Sequence, residues 1–296
     1  MSQLLARASK RRTAILEGLC AGFFFGSAAV FIRLLPALNA LSIAIGRLFV
    51  ASVLLIILSA SLRIPFRLNA LRANLRRISL LGLLLGSHFV LFVSSVKSTS
   101  ILNATVLVST TPVMAMVISS IMFKMKPSKT ALYGLAISFL GVIIIVYGDA
   151  TGSLSSSIGG DVEAVLASLA EAFYLNYGRD LRMRYNPMTM MPMVYLAATI
   201  PIVCASLLTN MPLSLPVGLE ATLVLLGLGI IPTALAHTLY FSSLSGLKSF
   251  ETATLALLEP IGATLLGIVL FQEIPGVLFL AGAVILLTGV IVVLKQ

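Results

Sequence analysis

The chain has 296 residues, of which 59% are hydrophobic and only 10% charged, with a formal net charge of +10. Soluble domains carry about 25% charged residues, so water is not this chain's main solvent. The positive charge does not point to nucleic acid, because the basic residues sit in short segments between long apolar stretches.

A span needs about 20 apolar residues to cross about 30 Å of hydrocarbon, and over such lengths a helix satisfies every backbone group from within. Ten spans are predicted, at 14–34, 40–61, 78–96, 99–123, 129–147, 161–181, 188–209, 219–243, 249–271 and 276–294. Met1 to Thr13 is basic, but no small-residue cleavage site follows, so the first apolar stretch reads as a retained span. In the second loop Leu68, Leu71, Leu75 and Ile78 recur at helical spacing among Arg67, Arg72, Arg76 and Arg77, which predicts a short amphipathic surface helix. The small, polar stretch Thr151 to Gly160 predicts a flexible linker. Cys20 and Cys204 fall inside spans and read as small buried hydrophobes, not as a disulfide.

Basic residues set the orientation. Arg7, Lys10, Arg11 and Arg12 precede the first span, and Arg63, Arg67, Arg72, Arg76 and Arg77 fill the second loop. Lys124, Lys126, Lys129, Arg179, Arg182, Arg184, Lys248 and Lys295 continue the pattern in every other connection. The alternate side holds Arg33 and Lys97, with Asp149, Asp161, Glu163, Glu220 and Glu273 there or at adjoining span ends. Loops rich in Lys and Arg stay cytoplasmic, so both termini are expected inside, in a prokaryotic plasma membrane.

Laid against itself at an offset of 148, the chain matches without gaps from the third to fifth spans against the eighth to tenth. Ser94 and Ser95 meet Ser242 and Ser243, Leu107 meets Leu255, Pro112 meets Pro260, and Ala115 meets Ala263. Phe123 meets Phe271, Pro127 meets Pro275, Gly134 meets Gly282, Gly141 meets Gly289, and Val142 meets Val290. Five spans per half is an odd number, so the second half inserts upside down. The predicted fold is an all-α polytopic membrane protein, its ten transmembrane helices arranged as two inverted five-helix repeats. The first repeat is 1–147, the outer linker 148–160 and the second repeat 161–296. Inverted repeats enclose a site near the bilayer midplane and work by alternating access. Pro112 and Pro260, near the middle of spans four and nine, are expected to kink them.

These features resemble the drug/metabolite transporter superfamily in its EamA-type, ten-span branch. The resemblance is carried by Phe25-Gly26-Ser27, Gly46-Arg47, Thr111-Pro112, Ala172-Phe173-Tyr174 through Gly178-Arg179, Leu239-Tyr240-Phe241 and Leu258-Glu259-Pro260. It implies a carrier for small polar or amphipathic metabolites, with amino acids the first choice and export the direction. The chain departs from the pattern at Glu171, where the family aligns an aromatic residue. Because Glu259 belongs to the family motif whatever the substrate, the resemblance implies a structural or gating role for it.

Ionisable groups inside spans are costly and face a cavity or the protein interior. Glu171, near the middle of span six, is the first candidate for proton coupling or for holding a substrate amine; the alternative is a structural partner for Arg47 or His88. His88 and His237 are candidates for proton relay or for interhelical hydrogen bonds. Tyr174 stands at i+3 from Glu171 and shares its face; Tyr174, Tyr240, Phe24 and Ser27 are candidate cavity walls. Glu17 and Glu251 lie nearer span ends, within reach of water. Asn103-Ala104-Thr105 spells a glycosylation acceptor but lies within a span, and no ATP-binding or hydrolase motif is present. The expected partners are the lipid bilayer and a small solute, with no nucleic acid, cofactor, metal or enzymatic activity and a monomer as the working unit. A passive facilitator and a lipid-handling carrier are the alternatives.

Overall fold

The computed structural model describes residues 2–66, 68–99, 101–148, 157–271 and 276–295, all helical or connecting, with no strand among them. Arg67, Asp149, Glu273, Pro275 and the linker over 151–156 lie outside the described residues. So do the side chains of Arg7, Leu68, Leu71 and Phe271.

The helices are α1 (Ser2–Phe25), α2 (Ala28–Arg33), α3 (Ala40–Ser61), α4 (Leu68–Ala73), α5 (Leu75–Ser98), α6 (Ile101–Val108), α7 (Thr111–Met122) and α8 (Lys129–Gly148). The second half follows with α9 (Ile158–Arg184), α10 (Pro187–Thr209), α11 (Leu219–Leu228), a π-helical segment (Gly229–His237) and α12 (Thr238–Ser243). It ends with α13 (Ser249–Ala256), α14 (Glu259–Phe271) and α15 (Val277–Leu294).

Seven helices among the described residues are long and apolar enough to cross a membrane, and Lys129–Ile145 is a shorter apolar one. The other predicted spans are also helical, but composition or continuity sets them apart. Helix α9 carries Asp161, Glu163, Glu171 and Asp180 among its residues. Span nine is divided into α13 and α14. The amphipathic stretch is shorter than predicted. Helix α4 ends at Ala73, and Asn74, whose Nδ2 donates to the Tyr185 hydroxyl at 2.7 Å, separates it from α5, which takes Leu75 and a buried Ile78.

Prolines and small polar residues break spans instead of merely kinking them. Helices α6 and α7 meet at Ser109 and Thr110, and α13 and α14 at Leu257 and Leu258, 148 residues on. At the first break the hydroxyls of Thr110 and Thr111 donate to the carbonyls of Leu107 and Val108 at 2.6 and 2.7 Å, occupying acceptors that a continuous helix would satisfy. Span one breaks between α1 and α2, where a Cβ on Gly26 would lie 2.6 Å from the Glu259 carbonyl oxygen. Only glycine permits that approach.

The packing follows the repeat. Helix α5 lies on α9 and α10, as the π segment with α12 lies on α1 and α3. Helices α6 and α7 lie on α9, as α13 and α14 lie on α1. Contacts between the repeats also join α3 to its equivalent α10, the second half of span four (α7) to the first half of span nine (α13), and α8 to its equivalent α15. In the last pair a Cβ on Gly134 would meet the Gly289 carbonyl at 2.9 Å, and one on Gly282 would meet the Gly141 carbonyl at 2.9 Å. These two contacts exchange under the 148-residue offset while the partner helix runs the other way. The two helices are therefore antiparallel about a two-fold axis lying across them. Close backbone approach gives van der Waals contact that lipid, as apolar as the side chains, does not drive.

The cysteines correct the sequence reading. Both are free, but both are exposed on the helical body instead of buried. In lipid an apolar side chain gains little by turning inward, so its identity does not fix its direction.

Candidate functional site

The site begins with a proline. Pro232 has no N–H, so the Leu228 carbonyl four residues earlier loses its helical donor. The chain winds as a π-helix there, and Thr233 Oγ1 donates to that carbonyl at 2.7 Å. The same hydroxyl accepts from Arg47 Nε at 2.8 Å, and Tyr195 OH donates to the Thr233 carbonyl at 2.9 Å. Arg47 is 1% exposed, with its guanidinium carbon 4.1 Å from the centre of the Phe89 ring. Aromatic stacking and one charge-assisted hydrogen bond hold the cation in place. Its Nη1 has no hydrogen-bond partner among the described residues.

Arg47 faces a cavity of about 50 Å³ between the halves. Its walls include His88, Glu171, His237, Tyr240 and Glu259, with Phe25, Phe89 and Phe92 as apolar surfaces. The breaks contribute Ser109, Thr111, Pro112 and Leu257. His88 Nδ1 lies 3.0 Å from the Ala167 carbonyl, which can only accept, so the proton sits on that nitrogen. Glu171 Oε2 is 3.6 Å from the same nitrogen, just beyond hydrogen-bond reach, and neither Glu171 oxygen accepts a hydrogen bond from the described residues. Tyr240 OH and His237 Nδ1 are also without partners among the described residues. The two imidazoles meet edge to face at 6.0 Å, one residue out of the 148-residue register. Buried polar groups are normally paired. The cation, a carboxylate, an imidazole and a phenol of this cavity thus all retain hydrogen-bonding capacity among the described residues.

The model of the EamA-like transporter family matches residues 12–147 and again 158–295. The chain belongs to that family. It is an integral membrane transporter of two-repeat architecture. It is 27% identical over 256 residues to an uncharacterized transporter, YdfC, of Bacillus subtilis, covering 84% of this chain and 79% of that one. It is 24% identical over 193 residues to an uncharacterized transporter of Archaeoglobus fulgidus, covering 65% and 67%. A crystal structure of similar fold superposes with a TM-score of 0.75 at 17% identity, covering 95% of this chain and 96% of the other.

In this EamA-like transporter the cavity gathers six of the residues singled out from sequence: Arg47, His88, Glu171, His237, Tyr240 and Glu259. It leaves out three. Tyr174 is fully buried, and its hydroxyl donates to Met191 Sδ at 3.4 Å, so sharing a helix face with Glu171 does not bring it to the cavity. Ser27 donates to the Phe24 carbonyl at 2.8 Å across the α1–α2 break, and the Phe24 ring packs edge to face on Phe23 at 5.6 Å. Glu251 does not reach water as expected. It is 1% exposed and paired with Arg11 at 2.8 Å. Sequence reasoning passed over Thr233 and Tyr195, which fix Arg47. A threonine directly after a midspan proline was the available signal for the first, since its hydroxyl can replace the donor that proline lacks.

Proposed function

We infer that this transporter is a secondary carrier for small polar or amphipathic metabolites, with amino acids the first substrate class and export the direction. The reading rests on one observation: a cation, two carboxyl groups and two imidazoles line one buried cavity drawn from both repeats, with aromatic walls. A zwitterion has complementary parts. Its carboxylate fits the unpartnered Arg47 Nη1, its ammonium group fits Glu171, and an apolar side chain fits Phe25, Phe89 or Phe92.

Ten spans in inverted halves would let the cavity open to each face in turn. The antiparallel contact of α8 with α15 supports that topology, and the basic loops support cytoplasmic termini. Relatives in an archaeon and a bacterium support a plasma-membrane location. Glu171 and His88, a carboxyl and an imidazole that face the same cavity, can each exchange a proton with an entering solute. That makes them the coupling pair, with Glu259 serving the break and the gate.

Purified protein in sealed vesicles tests this. Labelled amino acids should show saturable uptake and counterflow, and an imposed pH gradient should drive accumulation. Flux that neither saturates nor shows counterflow would make the protein a passive facilitator. Saturable flux indifferent to the gradient would remove proton coupling alone.

A further inference from the structure

Two sets of polar contacts, at opposite ends of the helical body, occupy equivalent positions in the two repeats. At one end Arg33 Nη2 donates to the Thr99 carbonyl at 2.8 Å, and Asp161 Oδ1 accepts from Thr99 Oγ1 at 2.8 Å and from Asn103 Nδ2 at 3.3 Å. At the other, Arg179 Nε donates to the Leu247 carbonyl at 3.1 Å, and Arg11 Nη2 donates to Glu251 Oε1 at 2.8 Å. Thr99 and Leu247 are 148 residues apart, and so are Asn103 and Glu251. Arg33 and Arg179 stand near the far ends of their repeats' first spans, and Arg11 and Asp161 near the near ends. In each repeat, then, the connection leading into the broken fourth span is held twice. The end of its own repeat's first span holds it, and so does the start of the other repeat's first span.

The partners differ in charge. The set on the Lys- and Arg-rich face closes on an ion pair whose carboxylate is 1% exposed and also accepts from Lys248 N at 2.6 Å. The set on the opposite face closes on a carboxylate with neutral amide and hydroxyl donors. Arg11 itself is 31% exposed, but losing it leaves the buried Glu251 carboxylate without its counter-ion, which costs more than losing a neutral donor to a carboxylate.

We propose that these sets are the two gates of the transporter, released in turn, and that their unequal strength keeps the Lys- and Arg-rich face shut in the unloaded protein. This rests on the alternating-access reading above. Each gate holds a fourth-span connection, and the breaks of spans four and nine line the cavity. Releasing a gate therefore moves a cavity wall.

The test is a cavity cysteine, Ala256→Cys, in a Cys20→Ser/Cys204→Ser background, labelled with a membrane-impermeant maleimide in vesicles of each orientation. The parent should label faster from the face poor in basic residues. Arg11→Gln, and equally Glu251→Gln, should raise labelling from the basic face about tenfold. Asp161→Asn should raise it from the opposite face by less. The exchange R11E/E251R should bring basic-face labelling back toward the parent rate, short of it because an arginine at position 251 cannot accept from Lys248 N, and a merely unfolded variant cannot do this. Labelling that ignores these variants, or rises on the same face for Arg11→Gln and Asp161→Asn, overturns the proposal. Counterflow of labelled amino acids in the same vesicles separates the two readings. Flux with unresponsive labelling sinks the gates and spares the carrier. Responsive labelling with no flux does the reverse.

Discussion

The seam between α8 and α15 and the cavity between the halves are made from the same repeat by opposite means. In the seam Gly134, Gly141, Gly282 and Gly289 let backbones touch, and Ser138 Oγ spends its hydrogen bond on its own helix, on the Gly134 carbonyl at 2.9 Å. At the cavity helices are broken, side chains are large, and Arg47, Glu171, His237 and Tyr240 keep polar atoms without partners. Close packing has one arrangement and resists change. A wall of short half-helices joined at breaks has several. The contrast separates scaffold from working surface, and substitutions in each should fail in different assays.

The largest effect is expected at Glu171. Glu171→Gln keeps the shape but removes the charge and the exchangeable proton. Transport should fall about 100-fold, equivalent to roughly 3 kcal/mol, and residual flux should lose its response to a pH gradient. The thermal midpoint should hold or rise, because a neutral amide is less costly to bury than a carboxylate without donors. Unchanged transport with an unchanged pH profile would make Glu171 scaffold. Thr233→Val comes next. It removes the donor to the Leu228 carbonyl and the acceptor for Arg47 Nε together. Stability should drop by about 1–3 kcal/mol and apparent substrate affinity should weaken several-fold. A loss of stability with unaltered affinity would show that Arg47 keeps its position without the hydroxyl.

How much of this was visible beforehand depended on what lipid leaves readable. The repeat was legible because prolines and glycines with backbone roles recur at 148 residues, and the seam glycines found in contact are among those pairs. The polar members of the cavity were legible because a charge in hydrocarbon must have a reason. Helix rotation was not legible. In a soluble protein an apolar stripe marks the inward face, but Cys20 faces outward as comfortably as Ala21 faces inward when both sides are apolar. Spacing alone could not tell that Glu171 lines the cavity while Tyr174 turns to Met191. Nor could it distinguish a kink at Pro112 from a break, or foresee a π-helix at Pro232, since both depend on which neighbour supplies the missing donor.

In the seam, Gly141→Ala and Gly289→Ala should each cost about 1–3 kcal/mol of stability, the usual range for overpacking. Surviving protein should keep its substrate affinity. Gly276→Ala is the control, because a Cβ there meets none of the described residues within 4 Å and the backbone φ of −68° suits any residue. Thermal melts of the three variants compare them directly. Equal melting of all three would mean that the helices separate by a small shift at little expense, and that the seam is not the rigid part.

The smallest effect is expected at Tyr174→Phe, which most directly opposes reading by spacing to reading by structure. If i+3 spacing from Glu171 put the phenol in the substrate path, losing its hydroxyl would weaken affinity or alter the pH profile. In the structure that hydroxyl only donates to Met191 Sδ at 3.4 Å, a weak acceptor, while the ring packs on Phe241 with centroids 5.8 Å apart. Phenylalanine keeps the ring and gives up one weak bond. Stability should therefore change by less than about 1 kcal/mol, and substrate affinity and pH response should match the parent. Tyr240→Phe, made alongside, removes a hydroxyl that lines the cavity without a partner, so it should shift affinity and leave the melting temperature alone. If the two variants exchanged these outcomes, the wall facing the solute would be the other face of α9 and the cavity described here would not be the transport site.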